Sequence, residues 1–328
     1  MGAYLIRRVL WIIPVLFVVS IITFSLMHAV PGGPWSKEKK LPPSVIEHLD
    51  QKYNLDEPVF IQYLNWVGPL QFDEGALQRD EADNLVFGGL LAGDLGPSYK
   101  YLDRSVNDIV ADGIWVTVQL GLMSFILSVI VGIPLGVIAA LRHNGIPDYA
   151  ATFVSIIGIA TPSFVASILL LVVFSIALGW FPPNSLDWRT DPSSWVLPVI
   201  ALSLFPIAQI ARYTRASMLE VTRRDYVRTA HSKGVKEGSV VVVHMIRNAL
   251  IPVVTILGPL LAFLITGSFI TEFIFSVPGI GRYYVTSIGQ RDYGVIMAMT
   301  MLYAAAIAIM NLVVDVLYAY IDPRIRYS

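Results

Sequence analysis

The chain has 328 residues, 55% of them hydrophobic and only 14% charged, with a formal net charge of −1. A mean hydropathy of +0.65 is far above that of a soluble domain of this size. The absence of cysteine excludes disulfides, thiolate chemistry and Cys-based zinc sites.

An apolar run crosses a bilayer when it reaches roughly 20 residues at about 1.5 Å each. Six runs qualify: Val9–Val30, Ile114–Leu141, Ala150–Leu178, Trp195–Ala211, Ala249–Thr271 and Val295–Tyr320. The first follows Arg7-Arg8 as a signal peptide would. It is too long for a signal core, and Val30-Pro-Gly-Gly-Pro34 ends it as a turn with no small-x-small cleavage site, so it is expected to stay in the membrane.

The segment 31–113 between the first two runs holds 14 acidic and 7 basic residues, a net −7 that leaves +6 for the rest of the chain. Ser44-Val-Ile-Glu47 has the spacing of a capping box, and Pro58 is placed to open a helix over Val59–Trp66 as a first-turn proline. Trp66, Phe72, Tyr99 and Tyr101 are expected to be packing anchors. About 80 residues of this composition cannot build a large core alone, and the segment reads as a cap leaning on the membrane part.

The fourth run is the weakest, being short and carrying Pro198, Pro206 and Gln209. It is followed by Arg212–Arg247, far longer than a helix-to-helix turn needs. There Met218, Leu219, Tyr226, Val227 and Ala230 recur at helical spacing, with Arg223, Arg224, Arg228 and Lys233 on other faces. Ala230 and Gly234, four apart, would lie on one helix face and let another surface approach closely. From the residues alone, a basic loop lying on anionic lipid is an equal reading.

Orientation follows from the basic residues of the short loops. Arg7, Arg8, Arg142, Arg212, Arg215, Arg223, Arg224, Arg228, Lys233, Lys236, Arg247, Arg324 and Arg326 fall on one side, against Arg189, Arg282 and Arg291 on the other. Both termini are therefore expected in the cytoplasm. The expected organisation is 1–30 as N-terminus and first span, 31–113 as external cap, 114–320 as a core of five spans with a cytoplasmic loop 212–248, and 321–328 as cytoplasmic tail.

Asp225-Tyr-Val-Arg-Thr-Ala-His-Ser-Lys-Gly234, followed by Arg247-Asn-Ala-Leu-Ile-Pro252, resembles the EAA loop of type I ABC importer permeases, in the form found in the dipeptide/oligopeptide "B" branch of the peptide/nickel permease family. Of the general Glu-Ala-Ala…Gly pattern, only Ala230 and Gly234 match literally. Thr161-Pro-Ser-Phe164, Phe275-Ser-Val-Pro-Gly-Ile-Gly281, Arg291-Asp-Tyr293, Asp322-Pro-Arg-Ile-Arg326, Tyr4-Leu-Ile-Arg-Arg8 and Gly93-Asp-Leu-Gly96 are similar to the same branch and extend the match over nearly the whole chain. Gly33 departs from it, standing where the family often has Asp.

The resemblance implies an all-α inner-membrane protein of the type I ABC importer fold with six transmembrane helices. It implies a homologous second permease, two ATPase subunits that bind ATP and Mg, and an external substrate-binding protein, with no cofactor in this chain. Asp225, Tyr226, Arg228, Thr229, Ala230, Lys233 and Gly234 would form the helix seated in an ATPase groove, and Pro278, Gly279 and Gly281 an external loop or gate. The cargo would be di- or oligopeptides, with glutathione, a nickel chelate or an oligosaccharide as alternatives.

No P-loop and no His-Glu-x-x-His pattern is present, and His28, His48, His143, His231 and His244 are too scattered to pair into a metal site. A stand-alone carrier would place ionisable groups at mid-membrane, whereas Glu272 and Asp315 fall near the ends of their runs. Gln119, Ser124, Thr161, Ser203 and Gln209 are the polar groups that could line a path, or equally bond a neighbouring helix. The topology has a direct check in this cysteine-free chain. A cysteine placed at Asp73 should react with an impermeant thiol reagent from outside and one at Lys236 should not; the reverse pattern would overturn the orientation.

Overall fold

The computed structural model describes residues 2–31, 33–35, 42–73, 76–80, 84–101, 104–186 and 188–321. The expected motif at Asp322–Arg326, with the basic Arg324 and Arg326, lies outside the described residues. So does Gly32 of the turn after the first span. In chain order the helices begin with α1 (Gly2–Ala29), α2 (Pro43–Lys52) and α3 (Val59–Val67), followed by a two-residue ribbon of β1 (Phe72–Asp73) and β2 (Ala76–Leu77). Then come α4 (Val106–Leu141), α5 (Ile146–Ala160), α6 (Ser163–Leu170), α7 (Val196–Thr222) and α8 (Asp225–Ser232). The chain finishes with α9 (Glu237–Ser239), α10 (Arg247–Thr266), α11 (Phe269–Ile274), α12 (Ile280–Gln290) and α13 (Tyr293–Ile321).

Among the described residues, five segments are long and apolar enough to cross a membrane, and α5 with the α6 segment makes a sixth if the bent pair is one span. The expected run over Ala150–Leu178 takes the form of this bent pair, beginning earlier, at Ile146. The two halves meet at 106°. Thr161 is extended (φ −84°, ψ 117°) and Pro162 caps α6, because a residue before proline is driven out of the helical region. Beyond Leu170 the helix widens into π turns over Leu171–Ala177.

The fourth run is also corrected. α7 does not stop at Ala211 but continues through Arg212 to Thr222. Among the described spans it is the most enclosed, and polar residues such as Ser203 and Thr214, buried against its neighbours, lower its hydropathy. The fifth run begins earlier than Ala249, since α9, π turns over Val240–Ile246 and α10 follow one another directly, and α10 ends at Gly267. The capping box is not formed: α2 starts at Pro43, Pro42 is its N-cap, and no side chain caps it. Pro58 sits one position earlier than expected, at the N-cap of α3. Its fixed φ and missing N–H suit either place.

The chain divides into two compact units. One comprises Met1–Trp115 and Gly279–Ala308. Here Phe24 of α1 packs with Tyr293, Ile296 and Met297 of α13, and Tyr63, Trp66 and Tyr99 of the cap close over them. Tyr101 meets Tyr283 edge to face at 5.7 Å. Trp66, Tyr99 and Tyr101 thus act as the packing anchors expected of them. The carboxylate of Asp292, wholly buried, ties this unit together. It accepts from the Ser98 hydroxyl, from the Tyr99 and Lys100 amides at 3.1 and 3.3 Å, and from the Val295 amide in the first turn of α13 at 3.3 Å. Burial, with the Asp292 carboxylate beside it, holds the Tyr99 phenol well above its ordinary range. Arg291 takes the left-handed conformation (φ 59°) and its guanidinium donates to the carbonyls of Pro31 and Gly33 at 2.9 and 3.3 Å.

The other unit comprises Val116–Pro278 and Ile309–Ser328. Its centre is α7, with α5, α6 and α10 around it and α4 against it through glycines. Gly132 and Gly136 of α4 touch it so closely that a Cβ on Gly136 would lie 2.5 Å from the Ala211 carbonyl oxygen and from Thr214. A small-xxx-small face does occur in this protein, but here rather than in the loop after α7.

Asp292→Ala would leave the buried Ser98 hydroxyl and the Tyr99 amide without this acceptor, while the Lys100 amide keeps the Ser98 oxygen at 3.2 Å, a loss of roughly 1–3 kcal/mol for each group left unpaired. Limited proteolysis should then open the chain at 94–105 while α1 and α13 stay protected. An unchanged digestion pattern would show that Asp292 does not hold the cap.

Candidate coupling site

The last turn of α7 closes through Arg223 and Arg224, whose amides donate to Glu220 and Val221 carbonyls at 3.2 and 3.0 Å. Arg224 is extended (φ −76°, ψ 146°), which turns the chain and makes it the N-cap of α8. Asp225 occupies the first turn, where a carboxylate suits the positive end of the helix dipole. Arg224 also pairs with Glu220 one turn back on α7.

α8 has two faces. Val227 (2% exposed) and Ala230 (6%) point inward onto Met218 and Val221 of α7, Val240 and Met245 of the π-turn segment, Ala140 of α4 and Ala249 of α10. Asp225, Tyr226, Arg228, Thr229 and Ser232 are exposed on the other side, as is Lys233 just beyond the helix. The Thr229 and Ser232 hydroxyls donate back to the carbonyls of Asp225 and Arg228 at 2.9 and 3.0 Å, leaving their outer surfaces smooth.

The C-terminal end of α8 is a Schellman turn. The Val235 amide donates to the Ala230 carbonyl at 3.3 Å and the Gly234 amide to the His231 carbonyl at 2.9 Å, with Gly234 at φ +73°. Val235 then packs against the same cluster as Ala230. This corrects the pairing of Ala230 with Gly234 on one open helix face. α8 has ended before Gly234, and Ala230 is covered by its own chain. Ala230 is small because the π-turn segment lies against it, and Gly234 is glycine because its backbone is left-handed.

About two helical turns before this corner, α7 is fixed to α5. Asp148 in the first turn of α5 is 2% exposed and receives two bonds from Arg215, Nε at 2.5 Å and an amino nitrogen at 2.9 Å. The Asn144 amide and the His143 ring complete its shell at 2.9 and 3.0 Å. The sequence counted Arg215 only as one of many loop cations. Asp148 carried a legible signal, an acid two residues before the apolar run that starts at Ala150, on the side where the arginines of the later loop were predicted.

Of the expected outer residues, Gly279 is the extended N-cap of α12 (ψ 173°), and Ile280 and Gly281 are buried behind it. Gly113 of α4 approaches the same turn, where an added Cβ would meet the Ile280 nitrogen at 2.9 Å. Pro278 follows buried Val277 and a left-handed Ser276 (φ 54°).

The polar candidates for a path are placed differently from one another. Ser124 and Ser203 are fully buried, and their carbonyls both accept from the Ser128 hydroxyl at 2.6 and 3.3 Å. They belong to the contact of α4 with α7, where a hydroxyl can take carbonyl acceptors without leaving the helix. Gln119 lines a shallow hollow beside Trp188, Arg189 and Trp195. Thr161 is half-buried at the bend between α5 and α6. Gln209 accepts from Arg212 at 3.0 Å. Glu272, expected near the end of a run, is instead wholly buried and receives the hydroxyls of Ser268 and Thr117 at 2.5 and 3.1 Å.

The family model of the binding-protein-dependent transport system inner membrane component matches residues 132–327, and that of the N-terminal part of such membrane components matches 1–121. The chain belongs to this family. It is 40% identical to the dipeptide transport system permease protein DppB of Bacillus subtilis (strain 168), over 99% of this chain and 98% of that protein. It is 39% identical to the oligopeptide transport system permease protein OppB of Escherichia coli (strain K12), over 99% of each. Among solved structures it resembles an amino acid ABC transporter (TM-score 0.53, 16% identity, 65% of this chain and 94% of that one). It also resembles the MetNI methionine ABC transporter in an inward-facing form (TM-score 0.51, 16% identity, 65% and 96%). The fold is therefore that of an ABC importer's membrane subunit, an all-α multi-pass component of a bacterial transport system.

The inward packing of α8 has a consequence measurable without any other subunit. Ala230→Trp should overpack the cluster by about 1–3 kcal/mol and speed amide exchange across 225–235 in the isolated chain. Gly234→Ala should do so less, through backbone strain alone. Unaltered exchange in Ala230→Trp would mean that α8 is not seated on α7 and the π-turn segment.

Proposed function

We propose that this chain is the pore-forming permease of an ATP-driven importer of di- and oligopeptides. It pairs with a homologous second permease, receives its cargo from an external binding protein, and is driven by two ATPase subunits that hold ATP and Mg. The full-length similarity to peptide permeases supports the cargo class. Both termini and α8 are then cytoplasmic, and the 31–113 cap with the Pro278–Gly281 turn faces the binding protein, whose docking its −7 charge would influence.

The observation that carries this reading is the two-faced α8, pinned to its own chain on one side and offering Tyr226, Arg228 and Thr229 on the other. A segment that only rested on lipid would not need a capped, inwardly packed helix. A segment that transmits displacement does, because a push on its outer face must reach α7 and the π-turn segment without being absorbed. Closure of the ATPase pair on ATP would draw α8 of the two permeases together and favour one access state, with hydrolysis resetting it.

In reconstituted complexes, Thr229→Trp should leave membrane insertion and permease pairing intact. It should weaken ATPase docking by about 5- to 150-fold, the equivalent of roughly 1–3 kcal/mol of overpacking. Substrate-stimulated ATP hydrolysis and peptide uptake should both collapse, whereas neutralising Arg223 and Arg224 should alter coupling much less. Normal stimulation in Thr229→Trp with loss in the charge variants would mean that this segment contacts lipid.

A further inference from the structure

We propose that the crevice between α4, α5 and α7 is a binding site for one anionic phospholipid, its phosphate on Arg212 and an acyl chain lying along α5. The crevice has a volume of about 220 Å³. Its floor is small, with Gly136 and Ala139 from α4, Ala211 from α7 and Ala151 from α5, and its wall is Ile156 and Ile159.

Arg212 stands at its mouth within a membrane-spanning helix. Its neighbour Arg215 is satisfied by Asp148, but Arg212 is not: it donates to the neutral Gln209 amide oxygen at 3.0 Å and lies 5.8 Å from the Tyr213 ring centre. Among the described residues no carboxylate pairs with it. Arg215 lies level with the first turn of α5, so Arg212, three residues earlier, sits about 4.5 Å further toward the membrane interior. An arginine at that depth calls for an anion, and a phosphate fits the planar guanidinium.

The surroundings favour a lipid as the bearer of that phosphate. Tyr149 and Tyr213 are exposed at the same level, as expected for side chains at a membrane interface. Along α5, Phe153, Ile156 and Ile157 continue the exposed apolar surface from the mouth toward the bend. From Ala151 to Ile159 the helix rises about 12 Å, room for most of an acyl chain. The basic side of a membrane protein also attracts anionic headgroups.

The test uses the full chain, purified and partly delipidated, then exchanged into vesicles of phosphatidylethanolamine with or without phosphatidylglycerol. Native mass spectrometry should show one retained phosphatidylglycerol. Arg212→Gln should reduce its retention about fivefold, the effect of one basic side chain at a lipid surface, and Arg212→Lys should retain most of it. Thr152→Trp, which places bulk at the exposed edge of the crevice and leaves the charge in place, should lower retention as well. Free glycerol 3-phosphate should not displace the lipid. Equal retention in all variants would overturn the proposal. So would displacement by glycerol 3-phosphate, which would mark a plain anion site. Unchanged retention, together with a raised KM for uptake in reconstituted complexes carrying Arg212→Gln that is confined to peptides with a free C-terminal carboxylate, would overturn it and assign the crevice to cargo.

Discussion

In a lipid solvent, apolar side chains gain nothing by leaving the solvent for a neighbouring helix, so helices must be held by close approach and by polar bonds. Everything in the second compact unit depends on how α7 meets that constraint. Gly132 and Gly136 bring α4 into backbone contact with it, Gly158 does the same for α5, and the Asp148–Arg215 pair locks the end of that contact. The buried Ser128 hydroxyl, shared between two carbonyls, ties the same helices at another level. A helix interrupted by Pro206 is stable here because its neighbours supply what lipid cannot.

From that anchored helix the chain turns once, at Arg224, into α8. The distance from the Arg215 clamp to the Val227 and Ala230 cluster is spanned by continuous helix and one tight corner. In the proposed role this makes a stiff lever, with the clamp fixing α5 to α7 and the cluster fixing α8 to both α7 and the segment leading into α10. Movement of α8 would then carry two membrane helices together rather than bending a loop.

The apolar runs were legible because span length is a direct count of residues against bilayer thickness, and the relation to the family was legible in ordered short motifs. What escaped were features set by partners in space. Hydropathy placed the end of α7 at Arg212 because it reads charge as solvent, and it could not see Gln209 beside that arginine or Asp148 beside the next. The break at Thr161-Pro162 was written in the dipeptide but not its angle, which depends on how α6 packs on α7. Ala230 and Gly234 were read as one small face because their spacing is helical. Their smallness has two separate causes, a close neighbour for one and a left-handed backbone for the other. Asp292 was visible only as part of a motif, since its bonds reach residues nearly two hundred positions earlier.

The separation of α8 into a covered face and an open one divides the selective pressures on its residues. Changes at Val227, Ala230 or Gly234 affect whether the permease folds, and they do so in every cell and with every companion. In the proposed role, changes at Tyr226, Arg228 or Thr229 leave the inner packing alone and alter the surface that the helix presents. If α8 docks an ATPase as proposed, a genome holding several such transporters can diversify the open face, copy by copy, and keep their motors from being exchanged. The inner packing stays under a single, unchanging demand.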